Sequence, residues 1–307
     1  MLTVVKKIRR LVVCWFRTLI EPIVVEIVDH AVEIRFQVER FETAPETDRA
    51  SYWERKFNAF DLVRRFQKSG MVVEELQING EDFEKWMKEF PSLVECYRNL
   101  GDSMIEKILE HYLSFTFLGI SRSDIIIDVA AAGSRFVSEL RSKCIKAYQQ
   151  DLVYATDMKG YLIGGNAANM PLPDGFASVL TLHCAFECLQ GDSDMGFARE
   201  ADRILKKGGR LGIVPLYIDA IHFVKTSPWC DKRHIRVEKE AKWLWRDDAY
   251  HAPFSRHYSP ETFVDRIVSR MPGIDTRILF FKNISEIARS FEGQRIYCHF
   301  MFKGEKR

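Results

Sequence analysis

His183 and Glu187 are the side chains of this 307-residue sequence best suited to transferring a proton. An imidazole titrates near neutral pH, so His183 is a candidate general base. Glu187 follows at the spacing of one helical turn and could orient the imidazole or accept the proton itself. We predict that these two residues form the catalytic pair. The alternative for His183 is a packed, hydrogen-bonded position in the scaffold.

A loop of small residues after Asp128 is the first candidate binding segment. Its members are Ala130, Ala131, Ala132, Gly133 and Ser134. Such a loop between a strand and a helix lets backbone N–H groups approach a carboxylate of a ligand. An ordinary tight turn is the alternative.

Two later segments carry side chains that could bind a polar ligand. Asp157 follows the apolar run 152–156, where a carboxylate can accept hydrogen bonds from both hydroxyls of a diol; the alternative is an acid in solvent. Residues 165–176, Gly-Asn-Ala-Ala-Asn-Met-Pro-Leu-Pro-Asp-Gly-Phe, join two apolar runs. In this connector the amide oxygen of Asn166 can accept a hydrogen bond, and the backbone N–H of Ala167 can donate one.

Short apolar runs rich in β-branched residues predict the strands that position these side chains. They lie at 125–129, 152–156, 178–182 and 210–214. Helical patterns at 136–147 and 195–206 separate them, so the sequence predicts a βαβ sheet covered on both faces. The runs at 277–281 and 295–302 have no comparable helix between them, which predicts a closing antiparallel pair.

The first 120 residues have mostly helical patterns, and their beginning is both basic and apolar. Residues 1–41 carry apolar side chains on more than one helical face, and positive charge precedes Glu21. We expect this stretch to contact a second copy of the chain or the surface of an anionic membrane; packing onto its own domain is the alternative. Arg17 and Pro22 disfavour a membrane span.

The composition favours a globular cytoplasmic protein without nucleic acid or metal. Lys plus Arg number 45 and Asp plus Glu 43, so a net charge of +2 gives no reason to expect a nucleic-acid partner. The seven cysteines have no paired spacing, which favours a reducing cytoplasm. Cys184 and Cys188 lack the second pair that a zinc site requires, so we expect no metal.

In their order and context these segments resemble the class I S-adenosylmethionine (SAM) dependent methyltransferases, with a type 11-like methyltransferase domain. The resemblance covers about residues 125–217 and extends more loosely beyond. It implies a Rossmann-like, mostly parallel seven-stranded sheet with an antiparallel closing strand, preceded by a helical N-terminal region. The domains would be 1–120 and 121–307, with a lid-like insertion over the acceptor at about 217–258.

The same resemblance implies SAM as the cofactor and assigns the parts of its site. Asp128, Ala130, Ala132 and Gly133 would hold the amino-acid end, Asp157 the ribose, and Asn166 with Ala167 the adenine, while His183 would face the transferable methyl group. This loop departs from the family pattern, which usually has glycine at positions 130 and 132.

Two functions follow as hypotheses. The first is O-methylation of a hydroxylated small molecule or glycan by in-line transfer. The second is a non-catalytic methyltransferase-like module that acts through its N-terminal helices, which the alanines of the first loop favour. A NAD-dependent dehydrogenase is a weaker hypothesis, because the dinucleotide glycine fingerprint is absent.

Overall fold

The structure is a computed structural model that describes residues 58–226, 238–246 and 254–307, with residues 46–48 and positions 20, 23, 24 and 27. The predictions for residues 1–41 and for much of the insertion at 217–258 therefore concern residues outside the described ones. The described residues divide into two compact units. The larger holds 58–224, 238–242 and 255–307. In the smaller, β1 (Glu46–Asp48) pairs in parallel with residues 244–246 of β10 (Lys242–Arg246).

Eight α-helices lie in the described part of the chain from residue 58 onward. They are α1 (Ala59–Lys68), α2 (Gly80–Glu89), α3 (Pro91–Tyr97), α4 (Met104–Phe117), α5 (Phe136–Ser142), α6 (Ser193–Ile204), α7 (Pro260–Arg266) and α8 (Ile284–Ser290). Side-chain caps fix several starts. Asn58 accepts N–H bonds at the start of α1, and Ser259 accepts one from Thr262 at the start of α7. Ser259 as the cap and Pro260 in the first turn are residues favoured at a helix start.

A nine-stranded sheet forms the centre of the larger unit, in the order β2-β12-β13-β8-β7-β3-β4-β6-β5. Its strands are β2 (Val72–Leu76), β3 (Ile125–Val129), β4 (Lys146–Asp151), β5 (Asp157–Lys159), β6 (Leu162–Gly164), β7 (Ala177–His183), β8 (Leu205–Val214), β12 (Ile274–Phe281) and β13 (Phe300–Lys306). The strands from β8 to β6 run parallel, and β13 is antiparallel to both β8 and β12. Two further strands, β9 (Phe223–Thr226) and β11 (Phe254–His257), lie outside this sheet.

The mostly parallel sheet and its antiparallel closing strand confirm the predicted fold class. It has nine strands instead of seven because β2 pairs in parallel with β12, and because the short hairpin of β5 and β6 extends the other edge. The strand β2 comes from the region predicted to be mostly helical. The domain boundary near residue 120 stays a prediction.

The strand predicted at 152–156 is wrong, because the strand of this region lies just before it. Residues 152–156 are not a strand; β4 ends just before them, and the helix predicted to reach residue 147 ends at Ser142. The search for apolar runs did not find β4, because this strand contains the polar residues Gln149 and Gln150. Their side chains are buried and form hydrogen bonds. Leu152 and Val153 are 71% and 72% exposed, so the apolar run never enters the sheet.

Two hydrophobic clusters cover the sheet, one on each face. Ile127 and Val129 of β3 belong to one cluster and Ile126 to the other, as alternation along a strand requires. The first cluster includes residues of α6, and the second includes residues of α4. No helix in the described ranges is long and apolar enough to cross a membrane.

Candidate active site

A cavity of about 340 Å³ lies at the carboxyl ends of β3 and β7. Its wall consists of residues 128–134 together with Tyr97, His111, His183 and Cys184. The volume is within the range of about 300–1,000 Å³ typical of small-molecule sites. Of the predicted cofactor residues, the cavity brings together Asp128, Ala130, Ala132, Gly133 and His183.

Asp128 is the buried acid of this cavity. Its Oδ1 accepts hydrogen bonds from Thr181 Oγ1 and His183 Nδ1, both at 2.8 Å. Its Oδ2 is also buried and has no hydrogen-bond partner among the described residues. Leaving a buried carboxylate oxygen unsatisfied costs about 1–3 kcal/mol or more. The site therefore suits a ligand that brings a cationic or N–H donor to this oxygen.

The first loop is held by the end of β4. The backbone N–H groups of Ala130 and Ala131 donate to Gln150, at 3.3 Å to Oε1 and 3.1 Å to the carbonyl oxygen. The N–H of Ala132 donates to Asp151 Oδ2 at 2.9 Å. These three donors were expected to meet a ligand carboxylate, but here they bind the chain itself, because Gln150 and Asp151 end the neighbouring strand.

Backbone geometry explains the family preference for glycine at one of the two alanine positions. Ala130 has φ = 52°, in the left-handed region that glycine adopts without strain, whereas Ala132 is not among the residues with positive φ. Gly133 has φ = 81°, and a Cβ built on it would meet no atom within 4 Å. The alanine at position 130 is therefore strained, and the one at position 132 is not.

Asp157, predicted to bind the ribose, lies away from the cavity. It is exposed on β5, which runs antiparallel to β6, and its carboxylate accepts the N–H of Met158 at 2.7 Å. The acid at the carboxyl end of the strand beside β3 is Asp151. Sequence reasoning missed Asp151, although it follows Gly133 at close to the spacing of about 20 residues typical of nucleotide-binding βαβ units.

Asn166 and Ala167, predicted to bind adenine, are not in the cavity wall either. Asn166 Oδ1 accepts the N–H of Ala168 at 2.9 Å. Ala167 is buried in the hydrophobic cluster that also contains Ile127 and Val129. Gln150 links this connector to the first loop, because its Nε2 donates to the carbonyl oxygen of Gly165 at 2.6 Å while its Oε1 accepts from Ala130.

His183 lines the cavity with both ring nitrogens engaged. Its Nδ1 donates to Asp128, and its Nε2 lies 2.9 Å from Ser114 Oγ. Glu187 does not line the cavity, but its Oε1 accepts from Cys184 Sγ at 3.4 Å. Burial raises the pKa of Glu187 to about 7. Among the described residues the predicted pair shares no hydrogen bond, because His183 is bonded to Asp128 and Ser114 and Glu187 to Cys184.

Helix α4 contributes a buried polar face that sequence reasoning missed. Its members are the buried residues Glu106, Glu110, His111 and Ser114 and the partly buried Lys107. Their spacing of three or four residues inside an otherwise apolar helix is the sequence signal that could have revealed them. Of these, His111 reaches the cavity, and its Nε2 lies 2.9 Å from Tyr97 Oη.

The electrostatics of this face are dominated by burial. Desolvation, with the charge of Glu110, raises the pKa of Glu106 to about 8. Lys107 Nζ lies 2.7 Å from Glu110 Oε1, and although burial opposes it, this partner holds the pKa of Lys107 well above its usual range. No group of three His, Cys, Asp or Glu side chains in the described ranges could hold a metal ion.

Residues 127–213 match the protein family described as a methyltransferase domain. No curated protein matches the sequence significantly. Similar solved structures include the 1,6-didemethyltoxoflavin-N1-methyltransferase of Burkholderia thailandensis with bound 1,6-didemethyltoxoflavin and S-adenosylhomocysteine (TM-score 0.43, 11% identity, 77% of this chain and 93% of that chain). Another is a possible histamine N-methyltransferase from Thermotoga maritima (TM-score 0.40, 17% identity, 73% of this chain and 98% of that chain). A putative methyltransferase of Haloferax volcanii, in complex with the Trm112 methyltransferase activator, has a TM-score of 0.42 and 12% identity over 70% of this chain and 97% of that chain.

The matched segment contains both the first loop and β7. The loop and the carboxyl end of β7 both line the cavity. The sheet around it is the mostly parallel one that such a domain requires. The chain therefore contains a segment that matches a methyltransferase domain, and S-adenosylmethionine is the cofactor that such a domain implies.

Proposed function

We propose that the enzyme methylates a hydroxyl oxygen of a small molecule or glycan. The observation that supports this most is the cavity at the ends of β3 and β7, where imidazole rings lie beside a buried carboxylate. A hydroxyl acceptor must lose its proton as the new bond forms, and an imidazole is the side chain suited to receive it near neutral pH.

The residues present fit the cofactor. Asp128 Oδ2, buried and without a partner in the described part of the chain, suits the ammonium group of its amino-acid end. Asp151 accepts N–H bonds from Ala132 and Val153, which leaves two of its about four lone-pair positions for the ribose hydroxyls. When bound, SAM supplies a methyl group on a positively charged sulfur. We place adenine near the connector that begins at Gly165, which Gln150 ties to the first loop.

Titration calorimetry with SAM and S-adenosylhomocysteine, on the full chain, tests the binding site. We expect Asp128→Asn to weaken affinity roughly ten-fold or more, because it removes a charge-assisted hydrogen bond worth about 1.5–3 kcal/mol. Asp275→Asn, in an exposed position on β12, is the matched control and leaves affinity unchanged. Equal affinities for the two variants would refute the placement of the amino-acid end.

Methyl transfer itself is tested with methyl-labelled SAM and a panel of sugars, phenols and amines, with products identified by mass spectrometry. Methylation of a hydroxyl supports the proposal. N-methylation is the second candidate, because three acids could attract an ammonium group: Asp128 in the cavity wall, Glu187 beside the wall residue Cys184, and Glu110, which interacts with the wall residue His183. Products carrying the methyl group only on nitrogen would replace the first candidate with the second.

Two finer proposals concern residues 1–41, almost all outside the described residues, and the insertion at 217–258, of which 227–237 and 247–253 lie outside them. Residues 1–41 contact a second copy of the chain or an anionic membrane surface, on the basis of their positive charge and apolar faces. The insertion at 217–258 covers the acceptor. We also propose that the enzyme is cytoplasmic. The spacing of its seven cysteines, which shows no pairs, supports this location. Sedimentation of the full chain and of a truncation lacking residues 1–41, with and without anionic vesicles, tests the first; identical unbound monomers would refute it.

A further inference from the structure

Two histidines reach the cavity, and they differ in how their ring nitrogens are engaged. His183 of β7 has its Nδ1 on Asp128 Oδ1 and its Nε2 beside Ser114 Oγ. His111 of α4 has its Nε2 beside Tyr97 Oη, and its Nδ1 has no hydrogen-bond partner among the described residues. The two ring centroids are 4.0 Å apart, so both rings border the same space.

We infer that His111, and not His183, is the base that receives the acceptor's proton, with Tyr97 as the residue that positions its ring. This inference rests on the proposed transfer to a hydroxyl. Both ring nitrogens of His183 are hydrogen-bonded, whereas His111, which also lines the cavity, has a buried Nδ1 without a partner among the described residues. In this arrangement His183 and Asp128 are part of the cavity wall, and Ser114 holds the ring of His183 in place from behind it.

The tautomer of His111 follows from the cost of unpaired donors. A proton on Nδ1 would leave a buried N–H without an acceptor, at about 1–3 kcal/mol. A proton on Nε2 is instead donated to Tyr97 Oη, and the Nδ1 lone pair remains available. Tyr97 stays a neutral phenol, because burial raises its pKa above the ordinary value.

The surroundings also keep the ring of His111 uncharged before reaction. Tyr97 of α3, His183 of β7 and, on α4 itself, Lys107 are the titratable groups that face it, with Asp128 of β3 beyond His183. The Phe136 ring of α5 packs against it at 4.7 Å. Burial, followed by His183 and Lys107, lowers the pKa of His111 well below its usual value. The ring is therefore neutral before reaction but a weaker base than a free imidazole, so its assignment as the proton acceptor rests on its position in the cavity wall and on its unpartnered Nδ1.

The proton and electron balance of the step is simple. The acceptor O–H bond breaks, and its proton forms an N–H bond at His111 Nδ1. The acceptor oxygen forms the new bond to the methyl carbon, and the electron pair of the broken C–S bond stays on sulfur. The positive charge thus moves from the sulfur to the imidazole of His111, which returns the proton to water as the product leaves.

The first test needs no acceptor. The full chain, labelled with ¹⁵N-histidine and saturated with S-adenosylhomocysteine, is followed by NMR between pH 6 and 8, and His111→Gln and His183→Gln assign the signals. We expect His111 to show an unprotonated Nδ1 and a protonated Nε2 throughout this range, and His183 to show a protonated Nδ1. A protonated Nδ1 on His111 overturns the inference.

The second test measures turnover with the hydroxyl acceptor found in the panel. His111→Gln should lower turnover about 10²–10⁴-fold while S-adenosylhomocysteine affinity changes less than about three-fold. Tyr97→Phe should lower turnover about ten-fold and leave binding intact. Tyr112→Phe, a change of the same type on α4 outside the cavity wall, is the control and should match the wild type.

The outcomes separate this inference from the proposed function. Methylation of a hydroxyl at the same rate by His111→Gln overturns the inference alone. If the wild-type enzyme methylates only amines, the proposed O-methylation fails, and the assignment of His111 as the base for a hydroxyl fails with it, whichever tautomer the NMR measurement finds.

Discussion

Replacing Asp151 by Asn should weaken binding of S-adenosylhomocysteine about ten- to one-hundred-fold. Each hydrogen bond from a ribose hydroxyl to a charged carboxylate contributes about 1.5–3 kcal/mol, and about 1.4 kcal/mol corresponds to a factor of ten in affinity. An amide retains one acceptor oxygen, so the loss is less than the sum of two bonds. Asp151 also accepts the N–H groups of Ala132 and Val153, at 2.9 and 3.1 Å, and the amide can keep only part of this support for the first loop.

Asp157→Asn is the matched control, since it makes the same chemical change six positions later. Asp157 is exposed on β5, where its carboxylate accepts the N–H of the next residue, so we expect less than a two-fold change in affinity. Titration calorimetry measures both variants, with thermal unfolding to separate a damaged loop from a lost contact. A larger loss of affinity for Asp157→Asn than for Asp151→Asn would refute the assignment of the ribose to the end of β4.

Three further predictions concern stability, each measured as the free energy of unfolding in denaturant. Ala130→Gly should raise it by up to about 1 kcal/mol by relieving the left-handed backbone, while Ala132→Gly should lower it by about 0.5–1 kcal/mol. A Cβ on Gly196 would lie 2.5 Å from the Cβ of Ala168, so Gly196→Ala should cost about 1–3 kcal/mol, and adding Ala168→Gly should restore most of it; an additive double variant would contradict this. The native state holds the proton of Glu106 up to a pKa of about 8, against an ordinary value near 4.5, so its contribution to stability falls between about pH 5 and pH 8. Glu106→Gln should flatten that decline, and an unchanged slope would refute the argument.

The sequence was sufficient to predict the strands whose buried side chains are apolar. The run of β-branched residues at β3 predicts its bounds, and the runs inside β7 and β8 predict the parallel neighbours, because strands buried on both faces must be apolar throughout. The strand β4 escaped prediction because the residues Gln149 and Gln150 are buried through hydrogen bonds to the first loop and its neighbouring connector. Periodicity of apolar residues carries no information about such positions.

The candidate site was predictable where one segment supplies both strand and loop. Asp128 and the small residues after it lie in the cavity wall as expected, and so does His183, whose Nδ1 lies 2.8 Å from Asp128 Oδ1. His111 could not be placed, because the contact between α4 and β7 joins residues far apart in the chain. The polar face of α4 signals an unusual helix, but its partner depends on tertiary packing.

The pairing of β2 with β12 constrains how the enzyme can be shortened. A chain that starts at residue 121, where sequence patterns place the catalytic domain, would lose β2 and leave one edge of β12, from Arg277 to Phe281, unpaired, with β13 still on its other side. Such an unpaired apolar edge is a template for intermolecular pairing. The same truncation would remove Tyr97 and His111 from the cavity wall. Expression of the catalytic half alone should therefore give aggregated protein, and a soluble fragment must retain the chain from about residue 58 onward.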